Sequence, residues 1–376
     1  MKIPFNSPHF TGREAHNASL VGIYGKLSGN GVFTQQCHTF FENRYNFRKV
    51  LLTTSCTDAL EMAALLANIT SGDEIIMPSF TFVSTANAFV LRGAKIVFAD
   101  SQTNSPNIDP ESLPALITPQ TRAIVVVHYS GVACDMDRIM AIANEYNLFV
   151  IEDAAHAIDS FYKGRALGSI GHFGTLSFHE TKNIICGEGG MLAINDERFV
   201  KRSEIIWEKG TNRAAFYRGE VNKYGWVDIG SSFLPSELTA AFLYGQLEDL
   251  DNIQTKRIRI WEWYFAALRP LADAGYIELP VVPAFATQNG HLFYLLTKGM
   301  RQRDALIQHL NKHGIQAVFH YLPLHASPYF HNRHDGRLLT NADRYAACIV
   351  RLPFYYDLKE EQIKKIAYHL REFFSE

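Results

Sequence analysis

The feature that most constrains this chain is a set of short, uninterrupted apolar runs separated by helix-length intervals. Residues 94–100 read Ala-Lys-Ile-Val-Phe-Ala-Asp, 123–129 read Ala-Ile-Val-Val-Val-His-Tyr and 148–153 read Leu-Phe-Val-Ile-Glu-Asp. A further run, Glu74–Met77, follows a Gly72-Asp73 turn and is stopped by Pro78. Strands this apolar, without polar alternation, are buried on both faces, which points to a parallel sheet covered by helices. The intervening segments 57–69, 81–92 and 136–146 are long enough for crossover helices, with Ser55 or Thr57 available to cap the first.

Shorter strands are expected near 174–178 and 191–194, then a charged helix over 197–209 and a polar, aromatic loop from Thr211. A long helical pattern over 236–268 can bridge two units. Beyond Pro270 the pattern predicts strands near 277–280, 291–298 and 315–319 and helices near 302–313 and 359–373. The expected organisation is a large α/β domain with a mainly parallel sheet over residues 1–250, and a small α+β C-terminal domain over 251–376.

Composition narrows the function classes. With 36 Lys+Arg against 38 Asp+Glu the net charge is −2, which disfavours nucleic acid or an anionic membrane as the main partner. The five cysteines form no CxxC pair, so neither a disulfide framework nor a thiolate zinc site is expected. The N-terminal stretch lacks the apolar segment of a secretory signal, and no run is long enough to span a bilayer. The reading is a cytoplasmic protein.

In an open α/β sheet, ligands gather where the strands end. At one expected strand end, Glu152-Asp153-Ala154-Ala155-His156 places an acid before two small residues. At a second, Ser177-Phe178-His179-Glu180-Thr181-Lys182-Asn183 carries a lysine in a polar turn, followed by Gly187-Glu188-Gly189-Gly190. At a third, Thr53-Thr54-Ser55-Cys56-Thr57 opens a helix, whose free N–H groups suit an anion. A lysine, a carboxylate and a phosphate cradle are what pyridoxal 5'-phosphate requires. Each residue alone has a plainer explanation: Asp153 could cap a helix, Phe82 could be core, His156 could be a satisfied buried histidine. The Gly187–Gly190 run has neither GxGxxG nor Walker spacing, so a nicotinamide oxidoreductase lacks support.

These stretches, with Ser55–Thr57, Pro78–Ala88 and His320–His325, resemble the DegT-type nucleotide-sugar aminotransferases, which have the aspartate-aminotransferase-like fold (fold type I). The resemblance covers nearly the whole chain. Within the family it is nearest to the dTDP-4-amino-4,6-dideoxygalactose transaminases, on Ile3–Asn6, Gly25–Thr34, Ala86–Phe98 and Lys209–Arg213. The resemblance implies that Lys182 is the Schiff-base lysine and that Asp153 partners the pyridinium nitrogen. It implies that His156 bonds the ring's 3-oxygen, that Phe82 stacks on the ring, and that Cys56, Thr57 and Ser177 bind the phosphate. Ser232 stands where many relatives have an Asn reaching the neighbouring subunit's phosphate. His320, Tyr321 and His325 match a motif near the substrate entrance.

The implied reaction moves an amino group from L-glutamate to C4 of dTDP-4-keto-6-deoxy-D-glucose in a homodimer with shared sites. The implied product is dTDP-4-amino-4,6-dideoxy-D-galactose, a lipopolysaccharide or other surface-glycan precursor; the gluco epimer is the alternative. A non-catalytic sugar-binding regulator on the same fold is a second alternative, which retention of both Lys182 and Asp153 disfavours. For Lys182 to act as a base its pKa must fall by several units from ~10.4, while Asp153 must stay ionised.

Overall fold

The computed structural model describes residues 2–375. Its main sheet has seven strands: β1 (Lys49–Thr53), β2 (Glu74–Pro78), β3 (Lys95–Ala99), β4 (Thr121–Val127), β5 (Phe149–Asp153), β8 (Phe173–Ser177) and β9 (Gly190–Ile194). Two short strands, β6 (Phe161–Tyr162) and β7 (Arg165–Ala166), form a separate hairpin. The order across the sheet is β1-β9-β8-β5-β4-β2-β3. The pairs from β8 to β3 are parallel, and β9 runs antiparallel to both β8 and β1. This is the expected α/β fold with a mainly parallel sheet.

Side-chain alternation explains why the apolar runs are unbroken. Val50, Ile76, Val97, Ile124, Val126 and Val150 enter one core. Their neighbours Leu51, Ile75, Met77, Ile96, Phe98, Val125 and Ile151 enter another. Successive residues point to opposite faces, and helices cover both. The crossover helices form at Cys56–Leu66, Val83–Val90 and Met136–Tyr146. Ser55 is the cap of the first, its hydroxyl accepting from the Asp58 N–H at 3.0 Å.

The structure differs from the sequence expectation in several places. The pattern over 236–268 splits into helices Glu237–Leu247 and Leu250–Asp273. Asp249 leaves the helical region (φ −116°, ψ 13°), as suits a residue type that competes for local hydrogen bonds at helix ends. The expected strands near 277–280 and 315–319 reduce to isolated bridges, Glu278 with Leu296 and Val318 with Arg351. Pro280, which has no N–H, prevents the first from extending. The strand expected over 123–129 instead covers 121–127. Helices Arg13–Tyr24, Val32–Tyr45 and Thr340–Cys348, and the strands β1 and β11 (Ile349–Arg351), were not anticipated.

A third core lies around β11 and its antiparallel partner β10 (Tyr294–Leu296), with helices Met300–Lys312 and Glu360–Ser375. Ile3 joins this core and bridges Ile315. Helix Leu250–Asp273 starts in the first sheet core with Leu250 and Ile253 and continues into the third with Ile260, Tyr264 and Leu268. Among the described residues, no helix is long and apolar enough to cross a membrane.

Candidate active site

Six strands, β1, β2, β3, β4, β5 and β8, end along one edge of the main sheet, and the reversed strand β9 begins there. At this edge a cavity of about 520 Å³ opens, lined among others by Cys56, Thr57, Phe82, Asp153, His156, Ser177, Lys182, His320 and Tyr321. These residues come from five separate stretches of sequence, and the fold brings them to one place.

Asp153 is the last residue of β5 and is buried. Its Oδ2 accepts from the Thr85 hydroxyl at 2.7 Å and its Oδ1 from the Ala155 N–H at 3.2 Å. The Thr85 hydroxyl, committed as donor, accepts in turn from Thr81 at 2.9 Å. Burial raises the Asp153 pKa above the usual carboxylate value, while these hydrogen bonds and Lys182 oppose the rise. The carboxylate has no side-chain cation within ion-pair distance among the described residues. A cationic partner in the cavity would therefore be strongly favoured.

Lys182 lies in the turn after β8, its N–H bonded to the His179 carbonyl at 2.9 Å. Burial lowers its amine pKa from 10.5 to about 8, against an opposing pull from Asp153. The glycine cluster after it has a steric function. A Cβ on Gly190 would stand 2.3 Å from the Cys56 nitrogen and 2.4 Å from the Ser55 carbonyl carbon. Only glycine lets the N-terminus of helix Cys56–Leu66 approach the start of β9. That helix end presents Cys56 and Thr57, with the Thr57 hydroxyl bonded to Ser84 at 2.8 Å. Burial pushes the Cys56 thiol up to about 12, so it remains a neutral thiol.

The roof and wall are aromatic. Phe82, at the N-cap of helix Val83–Val90, is 54% exposed, and its ring centroid lies 5.8 Å from that of Tyr321. His156 stacks on His291 at 4.2 Å, with 24° between the rings. Burial drives both well below the ordinary histidine value. His156 Nδ1 accepts from the Ser130 N–H at 3.3 Å, which leaves the proton on Nε2, 3.5 Å from the Tyr321 hydroxyl. His291 Nδ1 donates to Asn183 Oδ1 at 2.8 Å, since the Asn183 amide nitrogen already donates to Gln254 and the Asn289 carbonyl.

Two expected residues do not line this cavity. His325 is tied by Nδ1 to the Ser79 hydroxyl at 2.7 Å and faces Asp343 at 3.5 Å. Ser232 is exposed and bridges Glu208 through its backbone.

Arg351, Thr85 and His291 were missed. Arg351 stands on β11 and lines the cavity, its Nη1 donating to His320 Nδ1 at 3.1 Å. Its Nε is buried and has no partner. Burial, then the Arg351 charge, lowers the His320 pKa to about 4.

The residues fit pyridoxal 5'-phosphate on the structure's own terms. They supply a half-buried amine with a depressed pKa, a buried carboxylate lacking a cation, and a helix N-terminus made approachable by Gly190.

Comparison with known proteins agrees. The profile of the DegT/DnrJ/EryC1/StrS aminotransferase family matches residues 18–371. The spore coat polysaccharide biosynthesis protein SpsC of Bacillus subtilis (strain 168) is 32% identical, covering 98% of this chain and 96% of its own. The X-ray structure of the aminotransferase from Psychrobacter cryohalolentis superposes with a TM-score of 0.92 at 29% identity, covering 100% of this chain and 99% of that one. Spr1654 from Streptococcus pneumoniae, in its PMP form, gives 0.89 at 25% identity over 99% and 98% of the two chains.

Proposed function

Because the chain belongs to the DegT/DnrJ/EryC1/StrS aminotransferase family and is a pyridoxal-phosphate-dependent aminotransferase, we propose that it aminates a nucleotide-linked keto sugar. The acceptor in this reading is dTDP-4-keto-6-deoxy-D-glucose, the donor is L-glutamate, and the product is dTDP-4-amino-4,6-dideoxy-D-galactose for a surface glycan such as lipopolysaccharide. Support for the nucleotide sugar comes from the motifs at 25–34, 86–98 and 209–213, and from a relative named for polysaccharide biosynthesis.

The observation that carries the reading is a half-buried Lys182 amine, with its pKa drawn to about 8, in one cavity with an Asp153 carboxylate oriented by Thr85. When bound, the cofactor supplies an aldehyde to which amines add and a ring that withdraws electrons. Asp153 would hold a proton on the ring nitrogen, the cationic partner its buried carboxylate lacks. The free N–H groups at Cys56 and Thr57, with the Ser177 hydroxyl, would hold the phosphate. His156 Nε2–H would donate to the ring oxygen, and Phe82 would cover the ring face.

Lys182 Nζ would take the proton from Cα of the donor, which its lowered pKa makes practicable near neutral pH. In the second half-reaction the same nitrogen would deliver a proton to C4 of the sugar. Arg351 would hold the donor's carboxylate through its guanidinium, which lines the cavity and retains an unspent donor.

The protein would act in the cytoplasm as a homodimer. Exposed apolar side chains gather at Ile23, Tyr24 and Leu27 and at Tyr217, Tyr224, Trp226, Val227 and Ile229, with Trp226 83% exposed. Asn30 bonds Glu208, and Glu208 bridges Ser232. A second copy covering these segments would also cover Ser232.

The test is to incubate the protein with L-glutamate and dTDP-4-keto-6-deoxy-D-glucose and determine the product by NMR. An axial C4 amine supports the galacto assignment and an equatorial one replaces it with the gluco epimer. A protein that takes up cofactor but turns over neither substrate is a binder.

A further inference from the structure

We propose that His309, His313, His369 and Glu372 form a zinc site that joins the last helix of the chain to helix Met300–Lys312. None of the four lines the catalytic cavity. His309 and His313 are one helical turn apart at the C-terminal end of Met300–Lys312, so they share a face. His369 and Glu372 are likewise neighbours on one face of Glu360–Ser375. Each residue offers one ligand atom, and the four atoms lie within 4.8 Å of one another.

The distances suit a tetrahedral ion. Zinc–nitrogen bonds of 2.0–2.1 Å place tetrahedral ligand atoms about 3.3 Å apart. Glu372 Oε2 lies 3.0 Å from His369 Nδ1 and 3.6 Å from His309 Nε2, on either side of that value. His313 is pre-set for the task. Its Nδ1 donates to the His309 carbonyl at 2.9 Å, which fixes the tautomer and leaves the Nε2 lone pair free. His309 Nε2 is buried and has no hydrogen-bond partner, an uncommon state for a polar atom that a metal bond would end. The His309 and His369 side chains are only 15% and 13% exposed, and Phe373 packs against the His309 ring at 5.5 Å. The negative end of the dipole of helix Met300–Lys312 also favours a cation.

Three imidazoles and one carboxylate select a borderline-soft ion such as zinc over magnesium or calcium. Four protein ligands leave no open position, so the ion would be structural. It would tie together two helices whose inner faces, Leu306 and Leu310 on one and Ile366 and Leu370 on the other, share the third core.

The experiment uses the full-length, cofactor-loaded protein, stripped with a chelator and desalted. Zinc is titrated in competition with a chromogenic chelator, and thermal midpoints are recorded with zinc and with magnesium. Expected are one zinc per chain and a midpoint raised by zinc, restored by EDTA and unmoved by magnesium. His313→Gln and Glu372→Gln should each weaken zinc binding at least ~10-fold while leaving the cofactor absorbance and circular dichroism unchanged. Absence of stoichiometric zinc binding would overturn the proposal. So would zinc binding equally tight in both variants, or an equal response to magnesium.

Discussion

The Thr85 hydroxyl donates to Asp153 Oδ2 at 2.7 Å, so a side chain from the helix after β2 fixes the carboxylate at the end of β5. Thr81 donates to Thr85 in turn, which leaves the Thr85 proton no competing acceptor. Removing this donor separates the orientation of Asp153 from its charge.

Thr85→Val keeps the shape and deletes the bond. We expect a stability loss of about 1–3 kcal/mol and a fall in kcat with cofactor still bound. Asp153→Asn should cost more, on the order of 10²-fold or greater in kcat, because the charge itself is lost. Urea melts and single-turnover kinetics on the two variants check both, and equal kcat in Thr85→Val and the wild type would remove Thr85 from the mechanism.

The pKa of Lys182 gives a pH prediction. In cofactor-free protein the amine should titrate near pH 8 rather than 10.5, read from its rate of modification by an amine-selective reagent. The folded pKa lies below the unfolded value, so the unfolded chain binds the proton more readily. This group's contribution to stability should therefore rise with pH between about 8 and 10.5 and be flat above. A Lys182→Met protein should lack that slope.

Arg351→Met should raise the KM for L-glutamate by at least ~10-fold, the scale of a charge-assisted hydrogen bond. The KM for the nucleotide sugar should stay within twofold. The reverse pattern would assign the guanidinium to the sugar's diphosphate.

Beside the site, Glu152 is fully buried and accepts from His128 Nε2–H at 3.0 Å and from the N–H groups of Gly168, Ile170 and Gly171. His128 Nδ1 accepts from the Cys134 N–H, so the proton the ring offers Glu152 is the one on Nε2. In Glu152→Gln an amide NH₂ would face backbone N–H groups. We expect a loss of about 3–5 kcal/mol, measured by urea unfolding.

Gly190→Ala tests the cradle. The new methyl would overlap the backbone at Ser55 and Cys56, so the helix must withdraw. Cofactor affinity should fall by more than tenfold while Lys182 remains present. Spectrophotometric titration with pyridoxal 5'-phosphate reads this directly.

The strands β2 to β5 could be read in the sequence because both faces of each are buried, which leaves unbroken runs such as Ala123–Val127. The expected strand near 291–298 contains β10, but its partner β11 left no mark, because three residues carry no period and their pairing depends on a segment far along the chain. Helix Arg13–Tyr24 begins at Gly12 without a side-chain cap, so its start had no marker.

The site divides the same way. Asp153, Lys182 and Cys56–Thr57 stand at strand or helix ends with recognisable neighbours. Arg351 and His291 have none. Each is one of many residues of its kind, and each gains meaning only when β11 and the segment after Asn289 fold against the sheet. Thr85 lay inside a recognised stretch, yet its partner is 68 residues away.

Helix Leu250–Asp273 contributes side chains to two cores. A continuous rod of this kind transmits torque where a flexible linker would absorb it. The unit that carries Arg351 on β11 and the sheet whose edge carries Lys182 therefore share one stiff element, so the span of the cavity between them is set by a helix rather than by a slack tether.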